Sequence, residues 1–369
     1  MSCMPWGSAG SGVSARTVGR VALVGYGLGG SVFHAPFIAA EPRLDLACVG
    51  TANPERQRQA AARYSGVTVL GSFEDLLAQI DDLDLVVLST PNATHVSFAE
   101  AVLRGSRPVV VDKPVAPTAD EVRHLAELAV AAATVVVPFH NRRWDGDFRT
   151  VTSLLGAGEL GTLQAFESRY ERWQPRVPSG PDRAWKRDTS PGAAAGIVHD
   201  LGTHLVDQAV LLFGRPDAVY AEVARRRPAA KVDDDAFIAL RYANGPRVHL
   251  WATAVAADQG PRFRLLGSAG AYTKSGMDVQ EAALIAGNLP TDDCWGEEPI
   301  TSWGHINTGA ELRAVPTCAG AYGFFYAGIA AFLLDGAPPP VDIADALLTA
   351  EIIEAALRSA RTGAVIALG

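Results

Sequence analysis

The chain predicts an α/β part followed by an α+β part: a doubly wound parallel sheet first, then an open, mainly antiparallel sheet. Three observations carry this. Residues 20 to about 140 alternate short Val-rich apolar runs with helical patterns, the rhythm of buried parallel strands joined by helices. A glycine-rich turn closes the first apolar run. Beyond Asn141, strand-like segments crowd together with turn residues between them, as antiparallel strands do.

The expected strands of the first part are Arg20–Gly25, Leu44–Gly50, Leu85–Thr90, Pro108–Asp112 and Thr134–Phe139, with a weaker one at Val67–Leu70. Helical patterns at Pro54–Tyr64, Phe73–Gln79, Val96–Arg104 and Ala119–Ala132 separate them. In the second part, Asp145–Leu155 predicts a helix, Leu163–Trp173 a strand, Gly180–Ala195 a Pro- and Gly-rich loop, and His199–Phe213 a helix. Ala218–Arg225, Asp235–Tyr242, Arg247–Ala254 and Arg262–Leu266 then read as an antiparallel meander, turning at Ala243–Pro246 and Gly267–Gly270. Helices Tyr322–Leu334 and Ile343–Thr362 close the chain.

A length of 369 residues predicts two domains. With 48% hydrophobic and 20% charged residues and a net charge of −8, a globular protein is expected and nucleic acid or an anionic membrane is a poor partner. No apolar run reaches the ~18 residues of a membrane span. Residues 1–18 are rich in Gly, Ser and Ala without a basic segment before an apolar one, which predicts a flexible tail and not an export signal. The four cysteines include no C-x-x-C pair, and Cys48 lies in an apolar run; a reduced, cytoplasmic protein is expected.

Gly25-Tyr26-Gly27-Leu28-Gly29-Gly30 is G-x-G-x-x-G placed after a strand and before a helix, where the pattern points to a dinucleotide. Gly25 permits the turn, Gly27 lets backbone approach a diphosphate, and Gly30 lets helix and strand pack closely. No acid stands at the exit of the second strand to hold an adenosine ribose; Asp45 is at its entrance. Thr51, Arg56 and Arg58 follow the exit instead; they suit a 2′-phosphate, which favours NADP over NAD, and the two arginines equally suit the solvated face of a helix. Thr90, Pro91, Asn92 and His95 leave the strand that begins at Leu85, where a nicotinamide ribose would pass; Asn92 could equally cap the next helix.

Lys113, one of four lysines, stands just past the carboxyl end of a parallel strand, where such sheets place ligands. Asp200 and His204 fall four apart in an expected helix, so they share a face, and a carboxylate there would favour the cationic imidazole. His199 and His204 are five apart, so a paired-histidine zinc site is not expected. A dinucleotide as hydride acceptor, His204 as base and Lys113 as oxygen-holding cation would together oxidise an alcohol. Tyr170, Arg172 and Trp185 mix aromatic and basic groups suited to a hydroxyl-rich ring; Tyr170 and Arg172 equally fit a strand with alternate residues facing solvent.

These residues resemble the Gfo/Idh/MocA oxidoreductases. The family's Glu-Lys-Pro appears as Asp112-Lys113-Pro114, and its Asp-x-Gly-x-His-x-x-Asp as Asp200, Gly202, His204 and Asp207. The run Gly25 to Phe37, which contains His34, the run Phe139-His140-Asn141-Arg142-Arg143-Trp144, and Gly320 to Tyr326 resemble the subgroup with NADP-linked scyllo-inositol dehydrogenase. The resemblance implies a Rossmann domain over residues 19–140 and a substrate and oligomerisation domain over 141–369. It also implies Lys113, Asp200 and His204 as the catalytic set, Asp112 and Pro114 beside the cofactor, Asn141 and Arg142 near the substrate, and a homodimer or homotetramer joined through the open sheet. The expected activity is NAD(P)-dependent oxidation of a cyclic polyol or sugar. The alternatives are a dinucleotide-binding sensor without turnover and a redox-neutral glycosidase that keeps its cofactor.

Overall fold

The computed structural model describes residues 17–177 and 187–369. Residues 1–16 of the expected tail, and Trp185 with part of its loop, lie outside them.

The early apolar runs form six parallel strands: β1 (Gly19–Val24), β2 (Leu44–Gly50), β3 (Thr68–Leu70), β4 (Leu85–Leu88), β5 (Val109–Val111) and β6 (Val136–Pro138). Between them run helices α1 (Ala35–Ala40), α2 (Pro54–Arg63), α3 (Phe73–Leu77), α4 (His95–Arg104) and α5 (Ala119–Ala131). The strand order β3-β2-β1-β4-β5-β6 reverses direction at β1/β4, and the carboxyl ends there open the crevice where this topology binds ligands. All of β4, β5 and β6 is buried, because helices cover both faces; this is why their sequences are continuous apolar runs without alternation. Local signals start the helices. Asn53 caps α2 by accepting from Glu55 N and Arg56 N, and Thr118 with Glu121 forms a capping box on α5.

The second part contains α6 (Gly146–Gly156), β7 (Leu163–Glu171), α7 (Thr203–Phe213), β8 (Ala218–Ala224), β9 (Asp235–Arg241), β10 (Arg247–Thr253), β11 (Phe263–Gly267) and β12 (Ala271–Lys274). It continues with α8 (Gln280–Ile285), β13 (Gly304–Asn307), β14 (Leu312–Val315), α9 (Gly323–Asp335), α10 (Ile343–Thr362) and β15 (Ile366–Ala367). The nine strands form one sheet in the order β14-β13-β12-β11-β7-β10-β9-β8-β15. It is not the simple meander expected: β7 lies between β10 and β11 and pairs in parallel with β10, Ala165 opposite Arg247. That pairing spans more than a full hairpin of intervening chain, so no turn residue announces it. Strands β12 to β15 and helix α8 run two to six residues, too short for periodicity to reveal.

On one face of this sheet Ala236, Ile238 and Leu240 of β9 pack with Phe148 and Val151 of α6, Leu205 and Val206 of α7, and Ile352 and Ile353 of α10. The hydrophobic cores cross the chain division at residue 140. Tyr322, Phe325, Tyr326 and Ile329 join Val21, Leu23, Phe37 and Val137 in the core on one face of the parallel sheet. Ala346 of α10 joins the core on the other face. Two late helices thus complete the cover of the early sheet and hold the two sheets together.

Candidate active site

β1 ends at Val24, and Gly25 follows with φ +93°, a conformation open to glycine and costly for other residues. A Cβ on Gly25 would lie 2.2 Å from the Ser89 carbonyl oxygen, and one on Gly30 would lie 1.9 Å from the Gly25 carbonyl oxygen. These two positions admit no side chain because backbone touches backbone. Gly29 is closed by side chains, a Cβ standing 2.4 Å from Ser89 Oγ and 3.0 Å from Asp112 Oδ2. Gly27 differs. A Cβ there would meet only Arg56 Nη1, at 3.8 Å, so the outer side of the turn is open backbone beside a guanidinium, which fits a diphosphate. The chain leaves the turn through one π-helical turn, Gly29–His34, that runs into α1. Tyr26 is buried and Leu28 exposed.

At the exit of β2, the Thr51 carbonyl accepts from Gln57 Nε2 at 2.8 Å. The two arginines of α2 part ways: Arg56 turns towards Gly27, whereas Arg58 pairs with Glu55 at 2.5 Å on the exposed side. Asp45 pairs with Arg20 at the far end of the sheet.

The segment after β4 is tied to other segments. Thr90 and Thr94 share a hydroxyl contact of 2.7 Å. Asn92, just after Pro91, does not cap α4; its Nδ2 donates to the carbonyls of Ala193 and Ala194 at 3.1 and 3.2 Å, pinning a loop of the second part over the crevice. His95 is fully buried, with Nδ1 2.8 Å from the Pro114 carbonyl and Nε2 3.0 Å from the Thr90 carbonyl. It braces the two loops and presents no free ring edge to a cofactor.

Lys113 extends from the end of β5 to the middle of the π turn Val198–Gly202, where Nζ donates to Asp200 Oδ1 at 2.9 Å and to the Asp200 carbonyl at 2.7 Å. An ammonium has three hydrogens, so one remains for a substrate oxygen. His204 follows on the first turn of α7, 5% exposed. Burial, then Lys113, Arg142 and His140, hold its pKa well below the ordinary value against Asp200. Asp200 is expected to favour the cationic form of His204; burial, with Lys113 and Arg142, outweighs it and the neutral form is favoured. The α-helical register expected from His199 is also interrupted, since Thr203 N bonds to Val198 O in π fashion. His204 Nδ1 is sealed without a hydrogen-bond partner among the described residues, which leaves Nε2 as the nitrogen able to meet a substrate.

Beside His204, the Tyr170 ring (6.4 Å between centroids) is sandwiched by two guanidiniums. Arg142 and Arg172 lie 4.9 and 4.8 Å from its centroid, and both donate to its hydroxyl at 2.7 Å. Arg142 is buried and also bonds Glu281, Tyr322 and Asp145, so it buttresses the pocket wall instead of lying open to substrate. Burial pushes the Glu281 carboxyl up, but Arg142 and Arg172 bring it below its ordinary value, so it stays charged. Asn141 is buried in the short helical turn Asn141–Trp144. Asp207 takes Arg143 through both oxygens, and Arg143 continues to Asp345 of α10; this acid anchors helices.

The fold thus links the glycine turn, Asp112, Lys113, Asp200, His204, Tyr170 and Arg172 in a chain of neighbours. Glu281 and Asp145 escaped sequence reasoning, since α8 is too short for a pattern and Asp145 reads as an ordinary helix start. Among the described residues, no cluster of three or more His, Cys, Asp or Glu could hold a metal ion.

Two family models match this chain. One, described as an oxidoreductase family with an NAD-binding Rossmann fold, spans residues 19–140; the other, the GFO/IDH/MocA C-terminal domain, spans residues 148–273. YdgJ, an oxidoreductase of Escherichia coli (strain K12), is 37% identical over 352 residues, 95% of this chain and 98% of its own. IolW of Bacillus subtilis (strain 168), a scyllo-inositol 2-dehydrogenase (NADP(+)), is 31% identical over 353 residues, 95% of this chain and 96% of its own. The solved structure of the Bacillus subtilis oxidoreductase yvaA superposes with a TM-score of 0.90 at 31% identity, covering 97% of this chain and 100% of that one.

Proposed function

The chain belongs to the GFO/IDH/MocA oxidoreductases and is an NAD(P)-dependent dehydrogenase; from that premise we propose that it moves hydride between a nicotinamide and a ring carbon of a cyclic polyol or sugar. The observation that supports this reading is the meeting of Lys113 with Asp200, beside a neutral His204, just past the carboxyl end of β5. When bound, the nicotinamide supplies the hydride acceptor. Gly25 to Gly30, Thr90 and Pro91 would hold it, with Asp112 and Pro114 beneath. Lys113 Nζ holds the reacting oxygen with its third hydrogen and steadies developing negative charge. His204 Nε2 takes the hydroxyl proton, and being neutral it needs no prior deprotonation near pH 7. Arg172 and Tyr170 offer donors and a ring face to neighbouring hydroxyls.

NADP is the favoured cofactor, supported by Arg56 beside Gly27, by the lack of an acid at the β2 exit, and by the NADP-linked relative. The protein assembles as a homodimer or homotetramer through the face of the nine-stranded sheet where Phe237, His249 and Trp251 cluster and Arg169 lies 3.9 Å over Trp251. Free, buried Cys48 suits a reducing cytoplasm. No described helix is long and apolar enough to cross a membrane.

Nicotinamide absorbance with inositols and aldoses, each with NADP and with NAD, tests the reaction. Turnover with at least one cyclic polyol or sugar is expected, and a flat response across the panel with both cofactors would sink the assignment. Clearly tighter calorimetric binding of NADH than of NADPH would overturn the cofactor preference.

A further inference from the structure

Asp112 stands where the family motif has a glutamate, and its surroundings say what the shorter side chain does. Its Oδ1 accepts from Lys113 N at 2.8 Å and its Oδ2 from Ser89 Oγ at 3.1 Å. Nε2 of His34 lies 3.5 Å from the same Oδ2. A carboxylate has about four lone-pair positions; Lys113 N and Ser89 Oγ bond two of them, and His34 Nε2 stands near without closing a hydrogen bond. Burial raises the Asp112 pKa, but His34, Lys113 and His95 together bring it down to about 2, so it is an anion held by the protein.

His34 is itself held from behind. It is fully buried, its ring 4.0 Å from that of Phe139, and its Nδ1 lies 2.6 Å from Tyr326 Oη. Burial, with Asp112 adding, pushes the Tyr326 hydroxyl well above its ordinary value, so it keeps its proton and is able to donate. The contact is open to either ring tautomer; where the hydroxyl donates to Nδ1, the ring hydrogen stands on Nε2, facing Asp112.

We propose that Tyr326 and His34 are positioning residues for the reaction: Tyr326 Oη–H donates to His34 Nδ1, and His34 presents Nε2–H to Asp112 Oδ2 across 3.5 Å. Asp112 in turn accepts from Lys113 N and fixes the backbone from which the Lys113 side chain reaches Asp200. The relay bears on catalysis only on the reading that Lys113 serves the hydride transfer proposed above. It joins helix α9, 292 residues along the chain from His34, to the lysine. It also turns Asp112 inward, towards the protein and away from a cofactor ribose.

The full-length protein is compared with Tyr326→Phe, Asp112→Asn and their double variant. Tyr326→Phe is expected to lower kcat about tenfold, the scale of one hydrogen bond, with KM for cofactor within about twofold. Asp112→Asn should lower kcat at least as much while calorimetric cofactor affinity stays within about threefold. The double variant should be no slower than Asp112→Asn alone, because residues in one chain of contacts do not add. Additive losses, or an Asp112→Asn protein that loses cofactor affinity at unchanged kcat, would overturn the relay. Nitrogen-15 histidine spectra, with His34 assigned by loss of its signals in His34→Gln, decide the point without turnover. The Nε2–H form at His34 is expected in the parent, and an Nδ1–H form would overturn the relay. Should the parent turn over no polyol or sugar while His34 shows the Nε2–H form, the reaction falls and the relay stands.

Discussion

The glycine turn after β1 and the seam from Lys113 to His204 face the same crevice but are specified by different physics. The turn is built from six consecutive residues, and its demands are steric: Gly25 and Gly30 exclude a single carbon atom because other backbone occupies the space. The seam draws Lys113, Arg142, Tyr170, His204 and Glu281 from separate segments, and its demands are electrostatic. Room for an atom is not the issue there. What counts is how buried each group is and which charges face it, since burial first, then Lys113 and Arg142, keep His204 neutral against Asp200. The steric corner is insensitive to pH and intolerant of volume; the electrostatic corner is the reverse.

The sharpest break in this contrast would come from the seam. Lys113→Ala and His204→Ala should each lower kcat by about a hundred- to ten-thousand-fold, with thermal unfolding of Lys113→Ala close to the parent's; parent-rate turnover in either would end the catalytic assignment. At the turn, Gly30→Ala should cost about 3 kcal/mol of stability in urea titrations, because its Cβ has nowhere to go. Gly27→Ala should fold normally and weaken only cofactor binding. A well-tolerated Gly30→Ala would show that the turn is not sterically closed.

The pH contrast gives a smaller effect. An unfolded histidine binds a proton below about pH 6.5, whereas buried His204 resists protonation until well below that. The unfolded chain then holds more protons, so stability falls as pH drops below about 6.5, by up to about 1.4 kcal/mol per pH unit for this group. His95, His140 and His199 are shifted downward as well and act in the same direction. Denaturant melts at pH 7 and pH 5 should show His204→Gln losing less than the parent, and an unchanged slope would mean that His204 is charged in the fold. Smallest is the test within α2. Arg56→Ala should weaken NADPH about tenfold by calorimetry, the scale of one charged hydrogen bond, and Arg58→Ala hardly at all; equal losses would mean that orientation on that helix does not matter.

Much of the first sheet was legible because its signals are local. Buried parallel strands are continuous apolar runs, the glycine spacing encodes a turn, and Asn53, Thr118 and Glu121 mark helix starts within four residues of themselves. The second sheet was legible strand by strand but not in its pairing. The insertion of β7 beside β10 depends on chain ends that approach only in three dimensions. Arg142 shows the same limit at the site: its type suggests a substrate contact, and only the fold surrounds it with Glu281, Asp145, Tyr322 and Tyr170.

From sequence alone, then, came the fold class, the dinucleotide turn, and Lys113, Asp200 and His204 as the residues to watch, because each rests on spacing along the chain. Tertiary structure decided their states and partners: a neutral His204, an Asp200 held by Lys113, an Asn92 spent on a loop, and an Asp112 backed by His34 and Tyr326. The physical reason is that charge, tautomer and hydrogen-bond partner depend on burial and on groups within a few ångströms. Those neighbours come from segments hundreds of residues apart, which no local pattern records.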